Sequence, residues 1–593
     1  MGQGAAVSGG APGPSRRAVL AAGSLLAFAP LAGCERGREV TYDGGWLGAN
    51  DERGHLLRSG SALTKSGAWP EVASVRRVGA LVIGAGIAGL AATRALAGAG
   101  VDDVHLIELE DVAGGNSRGH AMAGMRCPLG AHYLPLPADS AIEVIDLLES
   151  LGVRRTERGR AAYDERMLCY SPQERLFIGG GWREGLLPPL EALPAGERAA
   201  TLASSRAFSA AVAELGGVSA FRIPTARSTW SPVLEALDRT TFAAWLDGRG
   251  IGAPALRWYL DYCCRDDYGA GSAQVSAWAG VHYFASRHGF HSPGDDGAAG
   301  DAGDAVLTWP EGNAWLAERM AAPLADRTHA ARVVLRVAER RDAVDVDAWD
   351  AVRQVRERWI AAQVVVATPL FVAARLVESP PPALVEAARL VRHAPWLVAN
   401  LQLDAALDDR PGAPLSWDNV VYGSAGLGYV DAMHQSTRAY AGPTVLTSYW
   451  ALGGDDERQL AARRAGLLSG DWRTWAGRVV DDLAPPHPDL PAKVRRIDLM
   501  RYGHAMAIPA PGVRSSAALA ALAEVRGRIR FAHADLSAYS VFEEALYHGS
   551  RAGCAAARCG ALRRGPGVTR MGEAVGSHDA IGQRVRDLGH ARG

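Results

Sequence analysis

Val78-Gly79-Ala80-Leu81-Val82-Ile83-Gly84-Ala85-Gly86-Ile87-Ala88-Gly89 is a short apolar run that ends in a turn with three spaced glycines. Leu90 to Ala99 follows as an Ala-rich helical stretch, and Val104-His105-Leu106-Ile107 is a second apolar run ending at Glu108. Short apolar runs bounded by turns read as buried strands, so the segment predicts a strand, turn, helix, strand unit of the length of a parallel βαβ crossover. Each glycine has a separate task. Gly84 allows the tight bend, Gly86 lets the backbone approach a diphosphate without a Cβ, and Gly89 lets the helix pack close to the strand. The helix start at Ile87 and Ala88 then offers unpaired N–H groups and a partial positive charge to an anion. Glu108, at the next strand end, is placed to accept hydrogen bonds from a ribose. The expected class is α/β, with a dinucleotide-binding domain.

Around this unit the chain has 593 residues, enough at roughly 150 per domain for several domains or one large interleaved pair. A hydrophobic content of 48%, a charged content of 21% and a net charge of −1 describe a globular protein without bulk attraction to nucleic acid or anionic lipid. Lys65 and Lys493 are the only lysines, so positive charge is carried almost wholly by guanidinium groups, which do not act as tunable amine bases. Besides Cys34 there are Cys127, Cys169, Cys263, Cys264, Cys554 and Cys559. Their spacing fits neither a paired zinc site nor a haem box, so no metal is expected and buried thiols are the simplest reading.

At the N-terminus, Ser15-Arg16-Arg17-Ala18-Val19-Leu20 opens an apolar stretch that closes on Leu31-Ala32-Gly33-Cys34. This is similar to a twin-arginine export signal joined to a bacterial lipoprotein cleavage box. Residues 1–33 are therefore expected to be a signal peptide, with Cys34 lipidated and the protein held at the outer face of a membrane, in the periplasm or its equivalent. Residues 34–76 read as a polar surface lead-in. Later strand-like runs, Ala331 to Val337, Gln363 to Ala367 and Arg528 to Phe531, alternate with helical stretches such as Ala141 to Leu151 and Ala383 to Val391. They predict a cofactor domain from 77–135, 310–375 and 495–559, interleaved with a substrate domain from 136–309 and 376–494. Ser292 to Asp304 reads as a surface loop, Gly179-Gly180-Gly181 as a hairpin turn, and 560–593 as a flexible tail.

Downstream of Glu108, the stretch Leu109-Glu110-Asp111-Val112-Ala113-Gly114-Gly115-Asn116-Ser117-Arg118 resembles the paired-glycine signature of the flavin-containing amine oxidase and phytoene-desaturase superfamily. Asn116 stands where amine oxidases usually carry Arg. Pro128-Leu129-Gly130-Ala131-His132-Tyr133 is similar to the segment that runs beside the flavin ring, which places Gly130, Ala131 and His132 there. Val333-Val334-Leu335-Arg336-Val337 resembles the strand meeting adenine, with Val334 the contact. Val364-Val365-Val366-Ala367-Thr368-Pro369-Leu370 resembles the passage into the substrate domain. Arg530-Phe531-Ala532-His533-Ala534-Asp535-Leu536-Ser537 resembles the final strand, whose closing acid, Asp535, would contact the ribityl chain. Ser540-Val541-Phe542-Glu543 has capping-box spacing, and a helix starting there would aim N–H groups near Phe542 at the flavin pyrimidine edge. The resemblance implies a Rossmann-like FAD-binding domain interleaved with an α+β substrate domain, and FAD as cofactor.

It also implies oxidation of a small amine, possible polyamines included, by hydride transfer to the flavin with oxygen or a quinone-like acceptor. No second nucleotide fingerprint provides for NAD(P)H. His132, Tyr268, Tyr502 and His504 are the candidate catalytic or substrate-contacting residues, with Trp278 and Tyr283 as further aromatics and Asp266 or Asp267 as attractors of a cation. For each of them a core-filling or capping role is an equal alternative. The strand Trp396 to Leu403 lacks the lysine that many amine oxidases keep near the flavin. Two other functions compete. A desaturase or isomerase of a lipid or polyene requires a long apolar tunnel without acids. A flavin-holding scaffold requires a filled cavity over the flavin.

Overall fold

The parallel unit expected around Gly84 forms the middle of a seven-stranded sheet. In this computed structural model the described residues are Met1, 42–48, 50–57, 69–287, 289–293, 305–438 and 441–563. The chain divides into Met1–Val40 and a unit from Thr41 onward, which carries everything below. The expected export signal, Cys34, most of Ser292 to Asp304 and the tail beyond Arg563 lie outside the described residues.

Val72–Ile83 pairs in parallel with Val104–Ile107 on one side and Val355–Val366 on the other, with Ile83 opposite both Ile107 and Val366. Ile529–Phe531 adds in parallel at the far end of Val355–Val366. Arg332–Glu339 and Val344–Asp350 extend the sheet as an antiparallel meander. Ala80, Leu81, Val82 and Ile83 are buried, as a continuous apolar run must be when both faces of a parallel sheet are covered. The helix Ile87–Gly98 packs against the long helix Phe542–Arg563. Glycines allow that approach: a Cβ on Gly549 would lie 2.1 Å from the Ala88 carbonyl oxygen, and one on Gly553 would lie 2.4 Å from that of Ala92.

The second sheet has eight strands, in the order Asp43–Leu47, Val494–Ile508, Arg392–Leu403, Thr444–Ala451, Tyr429–Asp431, Asp418–Val421, Glu174–Ile178 and Gly181–Glu184. Its register sets Trp396 opposite Tyr502 and Val398 opposite Tyr449. Side chains two apart share a face of a strand, so these four make one wall.

Several expectations are adjusted here. The lead-in is an edge strand at Asp43–Leu47, where Arg501 lies over the Trp46 ring at 4.8 Å. Val494–Ile508 belongs to the eight-stranded sheet, so by sheet membership the last cofactor segment begins after 508 instead of at 495. The helix expected from Ser540 starts at Phe542. That start leaves Ser540 two residues before the helix and off the capping position, and its hydroxyl accepts from the Ala507 N–H at 2.8 Å. That helix continues to Arg563, past the expected tail boundary at 560. Gly179 and Gly180, at φ 61° and 81°, do join a hairpin. Cys127, Cys263 and Cys264 are buried free thiols. No helix among the described residues is long and apolar enough to cross a membrane.

Candidate functional site

The glycine turn is shaped by its neighbours. Gly84 adopts φ +99°, donates its N–H to the Ile107 carbonyl at 2.8 Å, and sits where a Cβ would be 2.7 Å from the Ala367 oxygen. A Cβ on Gly89 would be 1.8 Å from the Gly84 oxygen, so only glycine permits this helix to begin against this strand. Gly86 caps the helix with extended backbone and no side chain, and the nearest atom to a Cβ there is the Gly115 Cα at 3.8 Å. Gly114 returns its N–H to the Ala85 carbonyl at 2.8 Å, which binds the second glycine pair to the first. Glu108 accepts from the Ala85 N–H at 2.6 Å and the Glu110 N–H at 2.9 Å, and burial raises its pKa.

These groups line a groove of about 370 Å³ that holds Gly84, Gly86, Ile87, Ala88, Glu108, Gly114, Gly115, Asn116, Ala131, Val334 and Phe542 together. Gly89 lies beneath it as packing. The residues fit FAD: the helix start with no Cβ at Gly86 is a cradle for a diphosphate, and Glu108 is fixed at the second strand end.

A central cavity of about 140 Å³ shares Asn116, Ala131 and Phe542 with the groove and adds Gly130, His132, Asp266, Asp267, Arg287, Trp396, Tyr449, Tyr502 and Glu543. The buried Trp396 Nε1 and Tyr449 hydroxyl have no hydrogen-bond partner in the protein, so the wall offers polar atoms to a bound group. An outer cavity of about 430 Å³ shares His132, Tyr133, Asp266, Arg287 and Tyr449 and adds Glu174, Asp418, Tyr262, Tyr283 and Trp417. The order of shared walls is thus groove, central cavity, outer cavity.

The cavities are aromatic and acidic. His132 stacks on Tyr449 at 4.3 Å and 22°, and burial lowers its pKa to about 3, so its imidazole is neutral at ordinary pH. Asp267 is paired with Arg287 at 3.2 Å. Asp266 accepts from Tyr133, and burial together with the neighbouring Asp267 raises its pKa to about 7. Burial, then Glu174, pushes Asp418 well above the carboxylate range. Burial also raises Glu543 to about 7. A cation entering here would neutralise carboxylates that the protein leaves poorly solvated.

Not every expected residue reaches the site. Tyr268 is buried in the core, where its hydroxyl donates to the Ala279 carbonyl at 2.9 Å and meets Tyr539. Trp278 likewise packs against Phe221 and His282. Tyr502 lines the central cavity, but its hydroxyl is fixed to the Leu129 carbonyl at 2.8 Å. His504 lines the cofactor groove, its ring tilted against Phe371 at 4.8 Å, and neither of the other cavities. Asp535 is fully buried and takes no part in the groove wall; its carboxylate is held by His393, His533 and the Leu370 N–H. The sequence reading missed Trp396 and Tyr449 as wall residues. Thr444–Ala451 is buried throughout, so no polar alternation marks which side chains face a cavity.

The sequence over residues 87–557 matches the family of flavin containing amine oxidoreductases. No curated protein matches it. Among solved structures, putrescine oxidase bound to putrescine is similar at 17% identity, covering 81% of this chain and 98% of that one, with a TM-score of 0.57. Cyclohexylamine oxidase from Brevibacterium oxydans IH-35A is similar at 18%, covering 82% and 99%, with a TM-score of 0.57. The CLA-producing fatty acid isomerase from P. acnes is similar at 16%, covering 80% and 97%, with a TM-score of 0.54. At such identities the likeness is one of fold. The family match spans most of the chain and agrees with the groove: the chain belongs to the flavin containing amine oxidoreductase family and is an FAD-dependent oxidoreductase.

Proposed function

We propose that this protein oxidises a small amine that is cationic in solution, a polyamine included, with oxygen as the final electron acceptor. The observation that carries this reading is the cavity beside the flavin end of the groove, where Glu174, Asp266 and Asp418 stand among aromatic rings. FAD, when bound, supplies a two-electron acceptor for the hydride from the carbon beside nitrogen. The protein's own groups do the rest. Asp266 attracts the ammonium and, with a pKa near neutrality, takes its proton at a carboxylate oxygen, which leaves the neutral amine that hydride loss requires. The Asp267–Arg287 pair closes one side of the central cavity, and the His132–Tyr449 stack with Trp396 forms an aromatic wall that limits water. None of the described residues lining the three cavities is a lysine, so this proton transfer rests on carboxylates.

The likeness to a fatty acid isomerase keeps lipid chemistry as a second reading. The carboxyl groups weigh against it, because burying an alkyl chain against Asp266 and Asp418 desolvates them without compensation. An open cavity of about 430 Å³ weighs against a scaffold with no turnover. Export and lipidation at Cys34 remain part of the proposal.

The test is spectral. The purified, FAD-reconstituted protein is mixed without oxygen with mono-, di- and polyamines and with an unsaturated fatty acid. Bleaching of the flavin band by an amine, with peroxide on admission of air, is expected. An unbleached band across all amines sinks the reading, and isomerisation of the fatty acid supports the alternative.

A further inference from the structure

The groove contains an arrangement that neither the glycine turn nor the substrate cavities explain. Asp535 Oδ1 accepts from His393 Nε2 at 2.9 Å, Oδ2 accepts from the Leu370 N–H at 2.9 Å, and the Asp535 backbone N–H donates to His533 Nδ1 at 3.1 Å, which lies the same distance from Oδ1. The acid is fully buried, His393 is 4% exposed and His533 is 25% exposed, and both imidazoles line the groove. The two arrive from different sheets. His393 opens the strand Arg392–Leu403, whereas His533 follows Ile529–Phe531, whose Phe531 lies opposite Val366, itself opposite Ile83. His533 therefore emerges at the same end of the sheet as the Gly84 turn, one strand away.

The charge balance of the groove gives this arrangement a purpose. A diphosphate is an anion, and the helix start at Ile87 offers roughly half an elementary charge against it. The other charged or titratable side chains lining the groove are Glu108, Glu110, Arg332, His393, His504 and His533. Arg332 is already engaged by Asp350 at 2.6 Å. Asn116, where the resemblance leads one to expect Arg, is neutral and donates to the Ala505 carbonyl at 2.8 Å. Among the described residues, two carboxylates and one committed guanidinium leave the anion without a free cation.

We propose that His393 and His533, oriented by Asp535, are an imidazole pair that binds the diphosphate of FAD and replaces the guanidinium missing at position 116. Asp535 is a positioning residue. Its carboxylate holds His393 Nε2 and its backbone N–H holds His533 Nδ1, which leaves His393 Nδ1 and His533 Nε2 to turn to the groove. Burial alone would raise its pKa, but the two imidazoles hold it well below the carboxylate range.

The experiment uses the full chain stripped of flavin, with FAD affinity read from flavin fluorescence at low and high salt. His533→Gln is expected to weaken FAD about tenfold or more, since hydrogen bonds to charged groups are the strong ones, and to reduce the salt sensitivity of binding. The flavin-free protein should keep its fold, checked by its melting transition, although the bond from the Asp535 N–H to the ring is lost. His533→Arg should restore affinity. Asp535→Asn should weaken FAD in the native background and add nothing in His393→Gln/His533→Gln. An unchanged affinity in His533→Gln overturns the proposal, and so does a loss that His533→Arg fails to restore, which would mark a merely structural ring. If the double variant does not fold, the single pair at His533 decides alone.

Discussion

Gly86 and Gly89 lie three residues apart in one turn, yet alanine at the two positions should fail in different ways. At Gly89 the new Cβ meets the Gly84 carbonyl oxygen at 1.8 Å and its carbon at 2.9 Å, both rigid backbone. The helix Ile87–Gly98 cannot retreat, because on its other side Gly549 and Gly553 already hold the Phe542–Arg563 helix against the Ala88 and Ala92 carbonyls. Relief of the overlap needs a shift of over an ångström in a helix clamped from both sides, so the cost belongs at or above the upper end of the ~1–3 kcal/mol typical of overpacking. At Gly86 the nearest protein atom to a Cβ is 3.8 Å away, and φ −70° with extended ψ suits any residue. The methyl group would occupy only the place where the diphosphate must approach. Gly89→Ala should therefore lower the melting temperature of the flavin-free protein and abolish FAD retention. Gly86→Ala should leave that melting temperature unchanged while weakening FAD by ~1–3 kcal/mol, about 5- to 150-fold. Differential scanning fluorimetry and the flavin absorbance per polypeptide read the two quantities. A Gly89→Ala protein that melts like the native one with full flavin content would refute the reasoning, as would equal destabilisation by both substitutions.

Other outcomes follow from the same structure. Asp266 has its pKa raised to about 7 by burial and by Asp267, so its carboxylate forms as pH rises through about 7. Apparent affinity for a protonated amine should improve across that window, and Asp266→Asn should flatten the dependence and weaken binding about tenfold or more, measured by anaerobic flavin bleaching against pH. A pH-independent affinity in the native protein counts against this. Tyr268→Phe should cost about 0.5–1.5 kcal/mol of stability, through loss of a buried hydrogen bond, and leave the bleaching rate alone; a large loss of rate would return Tyr268 to the site. Asp347 is subject to burial that raises its pKa, but hydrogen bonds from Arg358 and Arg356 hold it at about 2. A carboxyl depressed in the folded state contributes stability above its unfolded value and loses it as pH falls through about 2, so Asp347→Asn should melt lower at neutral pH, with the gap closing on acidification. Mass spectrometry of the N-terminus from a bacterial host with lipoprotein processing should give a lipidated Cys34; retention of residues 1–33 would contradict the export reading.

The cofactor domain was legible because its requirements are local. Gly84, Gly86, Gly89, Glu108 and Gly114 each answer a backbone constraint within one crossover, and such constraints leave a mark in a short stretch of sequence. Gly549 likewise answers a backbone constraint, the Ala88 carbonyl oxygen 2.1 Å from where its Cβ would lie. The substrate wall was not legible. Trp396, Val398, Tyr449 and Tyr502 become neighbours only through the register of strands far apart in sequence, and their strands are buried enough to lack alternation. Asp535 shows the same limit. Whether its carboxylate faces the groove or the imidazoles depends on His393, which lies 142 residues away. Tyr268 illustrates the converse, an aromatic beside two suggestive acids whose helix turns it into the core.

A crystal structure of the FAD-reconstituted protein, soaked without oxygen with an amine that bleaches it, tests the account at its centre. The flavin should extend from Glu108 to Phe542, and the amine nitrogen should lie within hydrogen-bond reach of Asp266, beside the His132–Tyr449 stack. An amine bound elsewhere, with Asp266 left to Tyr133 alone, would contradict the assignment of these cavities to amine oxidation.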